Sequence, residues 1–393
     1  MVRKETRRAN GEGTICQRKD GNFRGKILIG KNENGKPRYK CFDGKTRQIV
    51  ADKMAKYRLD LAMGFAGERI PTLEEYAKHW LEDVKKVALK PTSYDRLEST
   101  FTTHILPQLG STQLDKLTAQ QIQRDLINVM QRKSLSHSSI KKAYDGINAV
   151  CEYAFIDGKI QRNPVALVQM PSKAETKQKQ IVWFDKAERE AIIAACKMEY
   201  GNGNRRYIFG SAYILCMYTG LRMSEMLALR WDQVDWEKRR ITVTDTAVLV
   251  KDREHAKQDG SIPRVLEIQK STKTATRRDV PLNPIAYEAL KDLKKYTPYE
   301  EHGYVVCVHA GQCVLPDHFE KTFGKILDRA GVKHAGVHAL RHTFATLLFE
   351  QCMEAHVIAN LMGHASTNVT YKTYIHFTKR LMQDAAKQLN EIA

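Results

Sequence analysis

The C-terminal third of the chain holds a group of polar residues whose types and spacing could perform chemistry on a phosphate. His338, Arg341 and His342 lie within about one helical turn, His364 follows a Met-Gly pair, and Tyr374 comes ten residues after it. Arginines can neutralise a phosphate that gains charge, and a tyrosine can supply an oxygen nucleophile. Together these residue types predict the attack of a phenol on a phosphodiester.

Two upstream cations extend this group. Arg222 follows Thr-Gly-Leu at a predicted helix end, and Glu225, three residues later, could orient its guanidinium through a charge-assisted hydrogen bond. Lys273 lies in a predicted strand–turn–strand segment, where a lysine at the tip could protonate a leaving oxygen. Each residue alone is also typical of a surface ion pair or a solvated loop. The prediction of a site therefore rests on their joint order along the chain.

Composition indicates a polyanionic partner. The 393 residues carry a net charge of +19, with 42% apolar residues. A field of this sign favours nucleic acid first and an anionic membrane surface second. The chain has no apolar run of about 18 residues and no apolar segment typical of a signal peptide, so we expect a cytoplasmic protein without membrane association.

We expect no metal and no other cofactor. The eight cysteines form no Cys-x-x-Cys pair and several lie in apolar helical runs, which favours reduced core residues. Cys307, His309 and Cys313 fit no zinc spacing. No carboxylate cluster suited to Mg²⁺ and no phosphate-binding Gly-x-x-x-x-Gly-Lys motif is visible in the sequence.

The first domain is predicted over residues 1–65. Residues 1–60 contain 17 Lys and Arg against 7 Asp and Glu, a net charge of +10. Three strands separated by turn sequences precede a helix that Thr46 should cap; the predicted elements are Thr14–Arg18, Phe23–Lys31, Arg38–Phe42 and a helix to about Met63. Alternation along the strands suggests that one face carries basic residues that could enter a DNA major groove; these are Arg24, Lys26, Arg38 and Lys40. A solvated face that binds nothing is the alternative.

Two further domains are predicted, over residues 71–168 and 183–393, joined by a polar linker. The second domain should be a four-helix module, with capping boxes at Thr72 and Thr118. The third should combine helices with a small antiparallel sheet. Its predicted helices are Lys186–Tyr200, Tyr207–Tyr218, Pro284–Tyr296, His318–Arg329, Ala339–Gln351, Ala355–Met362, Val369–His376 and Lys379–Ile392, and its predicted strands are Arg240–Leu249, Val265–Gln269 and Arg277–Val280. The fold class is therefore multidomain α+β. The polar segment Lys251–Pro263 should form an extra loop or hairpin.

In this order, the motifs resemble those of the tyrosine recombinase (phage integrase) family, and the layout is similar to integrases of integrative conjugative elements. The resemblance implies an arm-site DNA-binding domain, a helical core-binding domain and a catalytic domain. The family's functional positions match residues of this chain one by one: the first arginine and its supporting acid match Arg222 and Glu225, the hairpin lysine Lys273, the His-x-x-Arg box His338 and Arg341 with His342 beside it, the second histidine His364, and the nucleophile Tyr374. Tyr371 remains an alternative nucleophile, although the Tyr-x-His context favours Tyr374.

The resemblance also implies a mechanism and partners. Tyr374 would form a 3′-phosphotyrosine, Lys273 would protonate the 5′ oxygen, and Arg222, Arg341 and His364 would hold the non-bridging oxygens. His338 would help to orient or deprotonate the phenol. The expected partners are double-stranded DNA, with core and arm sites, and three further copies of the chain in a tetramer on a Holliday junction. An excision factor or a DNA-bending protein could join this assembly.

Two other functions compete with this interpretation. A type IB topoisomerase uses similar chemistry, but the separate basic N-terminal segment argues against it, because relaxation of DNA needs no distant arm site. A non-catalytic DNA-binding relative would tolerate loss of the active-site residues. All of them are present in this sequence, which argues against that alternative.

Overall fold

The computed structural model describes residues 14–31, 35–62, 69–173, 181–257, 259, 261–270, 277–297, 300, 302–308 and 311–363. The chain divides into two units, Met1–Gln178 and Lys179–Ala393. Within the described ranges, no helix has the length and apolar character needed to cross a membrane.

The N-terminal unit begins with the predicted three-stranded sheet and its helix. The elements are β1 (Thr14–Gln17), β2 (Phe23–Lys31), β3 (Pro37–Gly44) and α1 (Arg47–Ala62). The strands are antiparallel in the order β1-β2-β3. Thr46 accepts a hydrogen bond from the backbone of Ile49, which confirms it as the helix cap. A small core of Ile27, Val50 and Met54 joins the helix to one sheet face.

Four helices follow, as predicted, and three of them contain a wider π-helical turn. They are α2 (Leu73–His79, continued by Trp80–Lys85 and Lys86–Ala88), α3 (Pro91–Thr100, Phe101–Ile105 and Leu106–Leu109), α4 (Ala119–Ile122, Gln123–Ile127 and Asn128–Arg132) and α5 (His137–Ile156). The capping box at Thr72 is present. Thr118 also caps its helix, but the side chain of Gln121 donates to Thr112 instead of closing the second box.

The C-terminal unit is built around one helix that is buried on nearly every side. Its helices are α6 (Lys186–Cys196), α7 (Gly210–Thr219), α8 (Met223–Ala228), α9 (Pro284–Tyr296), α10 (Pro316–Ala330), α11 (His338–Glu350) and α12 (Ala355–Met362). Helix α7 is the central one, and its Tyr213 lies between Phe319 and Phe323 of α10, with ring centroids at 4.3 and 5.2 Å. A helix that is mostly apolar around its circumference is typical of such a central position.

The strands of this unit form two small sheets instead of the single predicted one. They are β4 (Val234–Asp235), β5 (Arg240–Val243), β6 (Asp245–Lys251), β7 (Arg264–Lys270) and β8 (Arg278–Pro281), arranged as β4-β5-β8 and β6-β7. The predicted strand Arg240–Leu249 was wrong as one element, because the chain changes sheets at Thr244. There the Gln233 amide donates to Thr244 and to the buried Asp245 carboxylate, at 2.6 and 3.1 Å. Side-chain hydrogen bonds therefore hold the chain where it passes from one sheet to the other.

Other predicted boundaries shift by a few residues. Helix α6 ends at Cys196 and not at Tyr200, because Tyr200 accepts and donates hydrogen bonds in a tight turn that returns through Asn204. The Lys251–Pro263 segment extends the β6–β7 hairpin, with the Asp252 amide donating to the Pro263 carbonyl at 2.8 Å; residues 258 and 260 lie outside the described ranges. The predicted helices Val369–His376 and Lys379–Ile392 also lie outside the described residues.

Candidate active site

Arg222 is positioned by the end of the central helix α7. Gly220 terminates that helix in the left-handed conformation, with φ at +66°, and glycine adopts this conformation without steric cost. A Cβ at Gly220 would lie 2.4 Å from Cδ1 of Phe344 on α11, so a side chain has no room there. The chain therefore reverses tightly, and Arg222 becomes the residue immediately before α8.

The Arg222 guanidinium bridges two parts of the fold. Its Nη1 donates to Oε1 of Glu225 at 2.7 Å, and its Nη2 donates to the Gly363 carbonyl at 2.8 Å. Because 37% of this side chain is exposed, it reaches solvent beyond these partners. A guanidinium has five N–H donors, so these bonds leave Arg222 able to donate to a phosphate.

Glu225 is buried between two arginines. Its carboxylate accepts from Arg222 and, in a bidentate pair, from Nη1 and Nη2 of Arg278 at 2.9 and 2.7 Å. Burial by itself would raise the pKa of Glu225, but the hydrogen bonds and charges of Arg278 and Arg222 outweigh it and lower the pKa to about 2. Glu225 is therefore ionised at neutral pH and supports Arg222, as the sequence predicts.

Arg341 lies on α11 with only 2% of its surface exposed. Its Nη1 donates to the Gly220 carbonyl at 2.6 Å and its Nη2 to the Met362 carbonyl at 2.5 Å. Burial, followed by the like charge of Arg222, lowers the pKa of Arg341 to about 9, which still leaves a cation at neutral pH. The carbonyls at a helix C-terminus carry partial negative charge and suit such a cation.

The two histidines of the His-x-x-Arg-His motif start α11. His338 is the first residue of the helix and is exposed, whereas His342, one turn later, is half-buried. Their rings meet edge to face, with centroids 4.7 Å apart. One helix therefore presents Arg341 and both imidazoles near its beginning, as the i, i+3, i+4 spacing predicts.

Three predicted catalytic residues lie outside the described part of the chain, namely Lys273, His364 and Tyr374, as does the alternative nucleophile Tyr371. The sequence alone relates two of them to the described site. His364 directly follows Gly363, whose carbonyl accepts from Arg222. Lys273 lies five residues before Arg278.

Arg278 belongs to the site and was missed by the sequence analysis. It is the first residue of β8, and 13% of its side chain is exposed. A Cβ at Gly363 would lie 2.8 Å from its Nη1, so glycine is needed where α12 ends. The available signal was an arginine two residues before the apolar Val280, and so on the same face of a predicted strand that must be partly buried.

The predicted basic face of the N-terminal sheet is divided between two faces. The register pairs Arg24 with Asp43 and Lys26 with Cys41, but it pairs Lys40 with the buried Ile27, which faces α1. Because directly paired residues point to the same face, Lys40 lies on the face opposite to Lys26.

Arg38 shares the face of Lys40, since the two are separated by one residue in β3. The expectation that all four basic residues share one face was therefore wrong; a bulge between Leu28 and Gly30 in β2 shifts the pairing near Arg38. Arg24 in addition donates to both carboxylate oxygens of Asp43, at 2.6 and 2.8 Å. On the helix-free face, Lys26 lies between Leu28 and Arg24.

Comparison with family models gives two matches. The model described as "Phage integrase family" matches residues 182–380, which is half of the chain and includes the positions of every predicted catalytic residue. The model described as "Phage integrase, N-terminal SAM-like domain" matches residues 72–131, within the four-helix region.

Relatives and solved structures agree with these matches. A "Tyrosine recombinase XerC-like" protein of Caldanaerobacter subterraneus subsp. tengcongensis is 28% identical over 94% of this chain and 96% of its own length. An "Integrase" of Saccharopolyspora erythraea is 23% identical over 99% and 98%.

Among solved structures, the Tn1549 transposon integrase in complex with a circular intermediate DNA has a TM-score of 0.62, with 20% identity over 80% of this chain and 99% of that one. A lambda integrase tetramer bound to a Holliday junction has a TM-score of 0.58, with 16% identity over 90% and 96%. These similarities favour neither the topoisomerase nor the non-catalytic alternative. The chain belongs to the phage integrase family and is a tyrosine site-specific recombinase.

Proposed function

We propose that this recombinase integrates and excises a mobile element by cutting and rejoining DNA through Tyr374. The observation that carries the proposal is the charge of the described site. Arg222, Arg278 and Arg341 bring three guanidiniums around the single carboxylate of Glu225. The excess of positive charge matches a phosphodiester that gains negative charge during attack.

In the proposed reaction, the Tyr374 oxygen attacks the scissile phosphate and forms a 3′-phosphotyrosine. The bond to the 5′ oxygen breaks, and Lys273 supplies the proton that this oxygen takes up. Arg222 and Arg341 hold the non-bridging oxygens together with His364, and His338 orients or deprotonates the phenol. The covalent bond conserves the phosphodiester energy, so the second DNA strand can reverse the same step and rejoin the ends.

The carbonyl contacts of the arginines support these roles. Arg341 donates to Gly220 and Met362, so its orientation is set before any phosphate arrives. Arg222 is fixed on one side by Glu225 and remains partly exposed on the other. Prepositioned donors stabilise a transition state without reorganising during the reaction, and this is where their catalytic advantage arises.

We also propose a three-part organisation, with residues 1–65 at arm sites, 71–168 at core sites and 183–393 in catalysis. Support comes from the separate cores of the N-terminal sheet and of the four-helix region, and from the separate family matches. Solved relatives include complexes with DNA and a tetramer on a Holliday junction. We therefore propose double-stranded DNA as the partner and a homo-tetramer as the active assembly; an excision factor or a DNA-bending protein would complete it.

The test is covalent trapping on a suicide duplex, a nicked duplex that carries the joined ends of the element encoding this chain. The wild type should form an adduct that survives denaturation, and Tyr374→Phe should bind the duplex without forming it. Tyr371→Phe is the matched control, since it removes the same oxygen from a neighbouring tyrosine. Adduct formation by Tyr374→Phe, with none by Tyr371→Phe, would move the nucleophile to Tyr371.

A further inference from the structure

We propose that Arg278 is a positioning residue for catalysis, acting on Arg222 through Glu225. It would fix the direction of the Arg222 guanidinium and keep its positive charge available to the scissile phosphate. This inference rests on the proposed function of Arg222 and adds a residue outside the set that the sequence motifs predict.

The first support is geometric. Arg278 donates to both oxygens of Glu225, at 2.9 and 2.7 Å, and the same two oxygens accept from the Arg222 side chain and backbone, at 2.7 and 2.8 Å. A bidentate pair fixes the plane of a carboxylate as well as its position. The lone pairs that face Arg222 are therefore oriented by Arg278, on a different element of the fold.

The second support is the balance of charge. A pair of Arg222 and Glu225 alone would be neutral, and the carboxylate would compete with the phosphate for the guanidinium. A second guanidinium on Glu225 makes the three-residue group singly positive. Because Glu225 and Arg278 have 4% and 13% of their side chains exposed, solvent screens this charge only weakly.

The third support is the contact of Arg278 with the end of α12. Gly363 comes so close to Nη1 of Arg278 that a Cβ there would lie at 2.8 Å, and the carbonyl of this glycine accepts from Arg222. Arg278 therefore borders both groups that hold Arg222, the Glu225 carboxylate and the Gly363 carbonyl. Displacement of its guanidinium should change the direction of Arg222 as well as the charge.

The test measures the rate of adduct formation on two suicide duplexes. One carries an ordinary scissile phosphate, and the other a methylphosphonate, which lacks one non-bridging charge and so depends less on guanidinium charge. Arg278→Gln should slow cleavage of the ordinary duplex by roughly ten- to a hundredfold. On the methylphosphonate duplex, the cleavage rate of the same variant should come within about threefold of the wild-type rate. On the ordinary duplex, Arg278→Lys should cleave at a rate between those of the wild type and Arg278→Gln.

The matched control is Arg240→Gln. Arg240 lies on β5 of the same sheet and pairs with Asp279 and Asp235 at 2.9 and 3.3 Å, away from Glu225. Its substitution should leave both cleavage rates within about twofold of the wild type. A second measurement is the double-mutant cycle with Arg222→Lys: if Arg278 acts through Arg222, Arg278→Gln should cost much less activity in the Arg222→Lys background.

The outcomes separate this inference from the proposed function. Absence of a wild-type adduct, or an adduct with both tyrosine variants, would overturn the proposed function itself. A normal wild-type adduct with unchanged cleavage by Arg278→Gln would overturn the role of Arg278 alone. Equal slowing on both duplexes, together with additive effects in the cycle, would assign Arg278 a purely structural role and would also overturn the inference.

Discussion

Arg222 and Arg341 donate to adjacent carbonyls at the end of one helix. Arg222 Nη2 lies 2.8 Å from the Gly363 oxygen, and Arg341 Nη2 lies 2.5 Å from the Met362 oxygen. Two residues that are 119 positions apart in the sequence are thus held side by side by the C-terminus of α12. That helix end aligns both guanidiniums, and its conformation should control cleavage.

Substitution of Gly363 tests the importance of this helix end. Gly363→Ala puts a Cβ into a left-handed conformation, at φ +62°, and 2.8 Å from Arg278 Nη1. Gly331→Ala is the matched control, since Gly331 ends α10 at φ +66° with nothing within 4 Å of its Cβ. Both variants should lose about 1 kcal/mol of stability from backbone strain. Only Gly363→Ala should also reduce adduct formation, and equal activity of the two would contradict the proposed control.

Glu225 predicts a stability change at acid pH. Because its folded-state pKa is about 2, below its unfolded value, ionisation of Glu225 stabilises the fold above about pH 4.5, and this contribution falls as pH decreases towards 2. Arg222 and Arg278 cause the depression; Arg341 and Cys216 are the other ionisable groups whose pKa values respond to this carboxylate.

Urea unfolding at several pH values measures this contribution. Glu225→Gln, which cannot ionise, should lose stability at pH 7 and show a smaller loss on acidification than the wild type, by about 3 kcal/mol at most. Identical slopes of stability against pH between pH 4.5 and 3 would mean that Glu225 is not held ionised by its arginines.

Lys273 is predicted to be the general acid. Lys273→Ala should slow cleavage by roughly a hundredfold or more, because the 5′ oxygen then leaves without a proton. A duplex with a 5′-bridging phosphorothiolate has a better leaving group and should restore the rate. Arg277→Ala is the control, since it removes a nearby cation and leaves the proposed proton donor in place. A phosphorothiolate that fails to rescue Lys273→Ala would disprove the general-acid role.

Removal of residues 1–65 should separate arm-site binding from catalysis. The truncated chain should still form the adduct on the core-site duplex and should lose affinity for a separate arm-site duplex. Each lost phosphate contact should reduce the slope of log affinity against log salt by about one. Full arm-site affinity after truncation would mean that the basic sheet is a solvated surface, and loss of core cleavage would place it in the catalytic clamp.

The two faces of the N-terminal sheet can be compared with single substitutions. We predict that the helix-free face, which carries Lys26, enters the DNA, whereas Lys40 points to the side of α1. Lys26→Gln should therefore weaken arm-site binding by about tenfold and flatten its salt dependence, and Lys40→Gln should do so less. Measurement of arm-site affinity over a salt series for both variants decides which face binds DNA. A larger loss of affinity for Lys40→Gln than for Lys26→Gln would identify the α1 side as the DNA face.

Sequence reasoning was most successful where local signals dominate. Capping residues such as Thr46 and Thr72 fixed helix starts, and the i, i+3, i+4 spacing placed Arg341 on the same helix end as its histidines. The partnership of Arg222 with Glu225 followed from their separation by one helical turn. The structure reproduces each of these short-range relationships.

Contacts between residues far apart in the sequence could not be predicted in the same way. Arg278 reaches Glu225 across 53 positions of the sequence, and nothing in a strand pattern specifies which carboxylate a buried arginine will meet. The bulge after Leu28 shifts the pairing of β2 with β3 by one residue, and such a shift moves every side chain to the other face. The register of these two strands explains the divided basic face, whereas the second sheet arises because the chain leaves one sheet for the other at Thr244.

The excess of guanidiniums around Glu225 links DNA binding to the thermal stability of the C-terminal unit. In the free protein, burial and then the like charges of Arg222 and Arg278 lower the pKa of Arg341 to about 9, so the arginines of this site repel one another. A bound phosphodiester relieves the repulsion only in the folded state. The melting temperature should therefore rise on binding core DNA, so the C-terminal unit reaches its full stability only on its substrate.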